Sequence, residues 1–205
     1  MTPNKSKQKV RESMPKVDMM TQVYFIRHAE PNYQNHNDVT RELSEHGIRV
    51  SQDLVRQLAE VSIDAFYSSP YKRSIDTIAP LAASREKKIK LVDDLRERKL
   101  ADAWIEDFVG TAKRQWDDFT FKLPTGESLQ EVQARNIAAL NRILKESRGK
   151  AVVIGTHGTA LSTIINYYQP DFGFEDFNRC KHVFPWIVRA SFDGDQLLGL
   201  NEFLV

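Results

Sequence analysis

Short apolar runs alternate along the chain with longer segments of helical period, and this alternation sets the expected fold. Val23-Tyr24-Phe25-Ile26 is a compact β-favouring run that stops at Arg27-His28, with a polar loop after it containing Pro31 and several asparagines. Residues 44–58 read as an amphipathic helix with Ile48, Val55, Leu58 and Ala59 on its inner face. Ile63 to Tyr67 predicts a second strand, ended by Ser68-Ser69-Pro70. Pro70 suits the first turn of the next helix, where a missing N–H is harmless, and Ile75, Ile78, Ala79 and Ala82 would face inward. Ile89 to Val92 predicts a third strand, followed by a charged run from Asp93 to Lys99. A helix is expected over 103–120, carrying Trp104, Phe108, Trp116 and Phe119.

The second half repeats the scheme. Ser128 and Glu131 have the spacing of a capping box, so a helix should open there and close near Gly149. Ala151-Val152-Val153-Ile154 is apolar throughout, as expected of a strand covered on both faces at the centre of a parallel sheet. It runs into Gly155-Thr156-His157-Gly158 and a helix with Leu161, Ile164 and Ile165. Pro185 to Phe192, then Asp193-Gly194-Asp195, then Gln196 to Leu204 reads as a β-hairpin. The prediction is an α/β fold: a three-layer α/β/α sandwich on a mostly parallel central sheet, ending in a C-terminal β-hairpin. Residues 21–205 would form a single domain. Residues 1–20 are polar, carry Lys5, Lys7, Lys9, Arg11 and Lys16, and read as a disordered leader.

Composition narrows the function. A net charge of +1 gives no footprint for nucleic acid and no pull towards a membrane surface, so an anionic substrate must be held by locally placed cations. No apolar run approaches the ~20 residues that span a bilayer. Cys180 is the sole cysteine, which excludes an internal disulfide and fits a cytoplasmic protein. In open α/β sheets ligands bind beyond the carboxyl ends of strands, where strand order reverses. Two strands here end in histidine, His28 and His157, and others lead within a few residues to Arg73 and Glu97. Arginine, histidine and glutamate thus converge on one rim.

The stretches F-I-R-H-A-E at 25–30, Y-S-S-P-Y-K-R-S-I-D-T at 67–77, L-R-E-R at 95–98, G-E-S-L at 126–129 and V-I-G-T-H-G at 153–158 resemble the histidine phosphatase superfamily, the phosphoglycerate-mutase-like group. They stand in the family's order over residues 20–205. The resemblance implies that His28 is a nucleophile forming a phosphohistidine, so its attacking nitrogen must be unprotonated, with a backbone carbonyl fixing the tautomer at the other. It implies that Arg27 and Arg73 bind phosphate through guanidinium forks, with Lys72 as a decoy beside the latter. His157 would donate to the phosphoryl group, and Gly158 and the N–H groups behind it would add an anion-friendly helix start. Glu97 would be the general acid, with Glu30 and Glu127 as rivals; Glu127 also suits support of the helix start at Ser128. Gln34 and Asn35 are candidates for the substrate side. No metal or other cofactor is implied.

Three departures bear on the leaving-group side. Ala29 follows the expected nucleophile where the family commonly has glycine, Gln34 stands where it often has asparagine, and Ala101 and Trp104 stand near where many relatives have a glycine and then Trp-Glu, without that pattern. The expected activity is metal-independent hydrolysis of a small phosphomonoester. The alternatives are a phosphoglycerate-type mutase, disfavoured by how little chain separates Glu97 from Gly126 to form a water-excluding lid, and a phosphate- or phosphoprotein-binding module without turnover.

Overall fold

The computed structural model describes residues 20–102 and 105–203; the leader reading of 1–19 and the expectations for Trp104 and Leu204 lie outside them. Six strands form one sheet: β1 (Met20–Arg27), β2 (Ala65–Ser68), β3 (Ile89–Leu91), β4 (Ala151–Thr156), β5 (Ile187–Asp193) and β6 (Gln196–Glu202). Their order is β3-β2-β4-β1-β5-β6. The first four run parallel, while β5 pairs antiparallel with both β1 and β6. The hairpin turns at Gly194, whose φ of 62° is one that side chains rarely adopt.

Alternation along the strands builds a core on each face. Val23, Phe25, Val152, Ile154, Val188 and Ala190 pack on one side with α4 (Leu129–Glu146) and α5 (Gly158–Tyr168). Tyr24, Ile26, Phe66, Val153 and Ile187 pack on the other against α1 (Glu45–Gln57) and α2 (Lys72–Ser84). Helices on both faces of a sheet with four parallel strands make the expected three layers. β4, which opens on the apolar run 151–154, lies between β2 and β1 and parallel to both. The capping box at the start of α4 has both its bonds, Ser128 Oγ accepting from Glu131 N and the Glu131 carboxylate accepting from Ser128 N.

Several elements depart from the sequence reading. The inner face of α1 carries Gly47, Ser51 and Leu54, with Leu58 just beyond, whereas Ile48 is 48% exposed and Ala59 is exposed. The cause is close approach. A β-carbon on Gly47 would stand 2.2 Å from the carbonyl oxygen of Glu30, so only glycine lets α1 settle on the loop after β1. Pro70 precedes the second helix instead of opening it; Tyr71 is the N-cap and Lys72 the first helical residue. The inner face of α2 includes Arg73, Ser74 and Thr77 besides Ile78, while Ile75 and Ala79 are only half-buried. Among the described residues of the helix expected over 103–120, α3 (Phe108–Asp117) is the helical part, with Asp107 capping it through Gly110 N. Its Trp116 packs with Phe119 and Phe177 as core. A short helix, α6 (Phe174–Cys180), is an addition.

Candidate active site

Strand β1 is the first in the chain and its sequence successor β2 lies beyond β4, whereas the chain leaving β4 crosses to β5 on the far side of β1. Strand order therefore reverses between β1 and β4, the position at which open α/β sheets form a ligand crevice beyond their carboxyl ends. The register pairs Arg27 with Thr156, which sets His28 beside His157. His28 N donates to Thr156 O at 3.0 Å, and the two imidazole centroids are 5.4 Å apart. Both rings are buried, His157 completely.

The loop holding His28 is tied to α2: Ala29 N donates to Thr77 Oγ1 at 2.8 Å, and that hydroxyl donates to Arg73 O at 2.7 Å. His28 Nδ1 lies 2.8 Å from the carbonyl oxygen of Ala29. A carbonyl can only accept, so Nδ1 carries the proton and the lone pair is on Nε2. Burial, then the charges of Arg73 and Arg27, push the pKa of His28 well below the usual histidine range, against the opposing pull of the Ala29 carbonyl. Burial followed by Arg73, His28 and Arg27 does the same to His157.

His157 is the N-cap of α5. Its Nε2 lies 2.7 Å from Ser69 Oγ, whereas its Nδ1 is buried without a protein partner. Arg27 points its Nη1 at the carbonyls of Cys180 and Val183, at 2.8 and 3.3 Å, with the first of these at the negative end of α6. Its guanidinium carbon lies 4.1 Å over the Phe184 ring, its Nε is buried and unpartnered, and burial lowers its pKa to about 10. Gly158 makes room for it, since a β-carbon there would stand 3.3 Å from the Arg27 Cζ and Nε. Arg73, 3% exposed, bonds through Nη1 to Asp38 O and pairs through Nη2 with Asp38 Oδ1 at 3.1 Å. Two imidazoles and two guanidinium groups from three separate stretches thus share one crevice. Arg27 Nε and His157 Nδ1 are buried polar atoms of the kind that an anion satisfies.

The carboxylates are distributed differently from the sequence reading. Glu97 accepts from Thr159 N at 3.0 Å and Ala160 N at 3.1 Å, and from Arg98 N at 2.7 Å. It therefore takes up N–H groups at the start of α5 that were expected to meet the substrate, and the charged run 96–99 is not a plain solvated stretch. Glu97 stays at the crevice edge, where its charge is felt by Arg27 and Arg73. Glu127 is a structural clamp. It receives Arg135 Nε and Nη2 at 2.8 and 2.9 Å, Arg96 Nη2 at 3.1 Å and Lys99 N at 3.0 Å, so it braces the segment carrying Glu97 and leaves the start of α4 to Ser128 and Glu131. Burial pushes its pKa up, but the Arg135 and Lys99 hydrogen bonds and the nearby cations outweigh burial and hold it low. Glu30 accepts from Ser44 Oγ at 2.6 Å, at the cap of α1.

Gln34 is exposed, and its backbone N–H closes a turn on Asn32 Oδ1 at 3.0 Å. Asn35 shapes the same loop, donating to Glu42 Oε2 at 2.7 Å and accepting from Arg41 Nε at 2.7 Å. Lys72 turns outward to Asp76. Sequence reasoning did not single out Ser69, Thr77, Asp38 or Phe184. Ser69 and Thr77 fall inside a quoted motif, whereas Asp38 lies in a polar loop with no periodicity to mark it.

Comparisons with known proteins bear out the family resemblance. The model of the histidine phosphatase superfamily (branch 1) matches residues 23–198. Phosphoglycerate mutase-like protein 4 of Arabidopsis thaliana is 30% identical over 166 residues, covering 73% of this chain and 71% of its own. Phosphoserine phosphatase 1 of Hydrogenobacter thermophilus is 27% identical over 158 residues, covering 67% and 71%. Among solved structures, a mycobacterial glucosyl-3-phosphoglycerate phosphatase superposes with a TM-score of 0.72 at 18% identity over 89% of this chain and 97% of that one, a likeness of fold. By its family-model match and its sequence relatives, this chain belongs to the histidine phosphatase superfamily (branch 1).

Proposed function

We propose that the protein is a metal-independent phosphatase that hydrolyses small phosphomonoesters through a phosphohistidine on His28. The observation that carries this reading is the Nδ1–H bond from His28 to the Ala29 carbonyl, which leaves the Nε2 lone pair free beside a cationic crevice. The Nε2 lone pair attacks phosphorus as the ester P–O bond breaks, and the leaving oxygen takes that bond's electrons together with a proton from Glu97. Arg27, Arg73 and His157 hold the equatorial oxygens, where charge is spread in phosphoryl transfer. Glu97 then removes a proton from water, which attacks the phosphohistidine and releases inorganic phosphate. Low proton affinity at His28 supports this role, because burial and the two arginines favour the neutral ring.

The test is phosphate release from p-nitrophenyl phosphate with and without a chelator, together with acid-quench trapping of phosphoenzyme. Turnover indifferent to chelator, abolished in His28→Ala together with the trapped species, is the expected result. Turnover surviving in His28→Ala, or lost on chelation, sinks the reading. A second reading rests on the 30% identity to a relative named mutase-like. Isomerisation of a phosphoglycerate without release of inorganic phosphate would establish it instead.

A further inference from the structure

We propose that Asp38 is a built-in competitor of the phosphoryl group for Arg73, setting how tightly phosphate is held and how readily it leaves. The inference rests on the phosphate-pocket reading above. The two crevice arginines are held in different ways. Arg27 bonds to carbonyl oxygens, Cys180 O and Val183 O, which orient it without neutralising it. Arg73 instead receives a full counter-charge, because one residue supplies both its backbone carbonyl and its carboxylate. A bound phosphate dianion must share or displace that carboxylate.

The carboxylate can leave without dismantling the loop. Asp38 is 46% exposed at its side chain while Arg73 is 3% exposed, so the anion can turn to solvent and the cation cannot follow. The loop is stapled by other groups: Asn32 Nδ2 and Asn35 Nδ2 both donate to the Glu42 carboxylate at 2.7 Å, and Asn37 Oδ1 accepts from Val39 N and Thr40 N. Lys72 N donating to Val39 O at 3.0 Å fastens the loop to the start of α2. With this frame in place, the Asp38 carbonyl keeps Arg73 oriented when the carboxylate departs. Asp38 Oδ1 also stands 3.5 Å from Arg41 Nη1, so its displacement exposes a second cation to the incoming anion. After hydrolysis the carboxylate re-pairs with Arg73 and helps expel inorganic phosphate. Asp38 thus acts through Arg73, as a positioning residue.

Calorimetric titration of inorganic phosphate into the wild type, Asp38→Asn and Asp38→Ser tests this, with phosphate inhibition of p-nitrophenyl phosphate hydrolysis measured alongside. With the carboxylate of the pair half-exposed, both variants should bind phosphate about three- to tenfold more tightly. KM and kcat should fall together as release slows. If the folded variants bind phosphate equally or more weakly, or KM rises, Asp38 is only a strut and the inference is overturned while the phosphate pocket stands. If neither the wild type nor the variants bind phosphate, the pocket reading itself falls, and this inference with it.

Discussion

Ser69 Oγ sits 2.7 Å from Nε2 of His157, and the same oxygen accepts from Tyr71 N at 3.2 Å. A hydroxyl that already accepts is free to give its single proton to the imidazole. With Ser69 as the donor, the His157 hydrogen sits on Nδ1, the buried ring atom without a protein partner, where it can serve a phosphoryl oxygen. Ser69→Ala should release this tautomer and lower kcat about tenfold, the equivalent of one buried hydrogen bond, while leaving the fold intact. An unchanged kcat in steady-state assays would show that the tautomer is set elsewhere.

Glu97 combines an anchoring role at α5 with the proposed proton transfer, and the two can be separated. Glu97→Gln puts an amide NH2 where an acceptor is needed for Thr159 N or Ala160 N, and should lower stability by about 1–2 kcal/mol in urea titrations. Loss of the proton donor should slow alkyl phosphates far more than p-nitrophenyl phosphate, whose leaving group departs readily as an anion. Equal slowing of both substrates would remove Glu97 from proton transfer and leave it the anchor alone.

The crevice should make the fold sensitive to acid. His28 and His157 both have folded pKa values well below their unfolded value, so below about pH 6.5 the unfolded chain binds more protons than the native one. Stability is then fully present above that pH and declines as pH falls, by up to about 1.4 kcal/mol per pH unit for each ring. Urea midpoints between pH 7.5 and 5 should fall, and His28→Gln should reduce the slope. A flat profile in the wild type would contradict the burial of two neutral imidazoles.

Gly158→Ala would press a methyl group against Arg27, which is already fixed on its other side by Cys180 O. Phosphate affinity should weaken about tenfold through the displaced guanidinium, with a stability loss of about 1–3 kcal/mol for overpacking. Binding of inorganic phosphate and thermal melts report the two effects separately.

The architecture was readable where hydrophobic pattern and cap chemistry agreed: the apolar run 151–154 of β4, the compact β-favouring run 23–26 of β1 and the Ser128–Glu131 box. The pairing of His28 with His157 was readable because strand ends and motifs pointed the same way. Other features left no such trace. The inner face of α1 carries the small residues Gly47, which permits a close approach to the Glu30 carbonyl, and Ser51, so a search for large apolar residues rotated the helix towards Ile48. The seven residues of α6 include two acidic residues, an asparagine and an arginine, too short and too polar for periodicity to register. Glu127 finds Arg135 eight positions along and Glu97 finds Ala160 across 63, and neither separation is a local spacing that sequence can flag.

The insertion of β4 between β1 and β2 fixes when reactivity can arise. During synthesis the chain emits His28, the proposed nucleophile, early, yet the strand that brings its partner imidazole begins only at Ala151. Until that strand docks between them, β1 and β2 are not joined into one sheet. Closing so distant a contact is slow relative to local structure. A nascent or truncated polypeptide ending before that point should therefore be chemically silent, with catalytic competence switching on in a single late step of assembly.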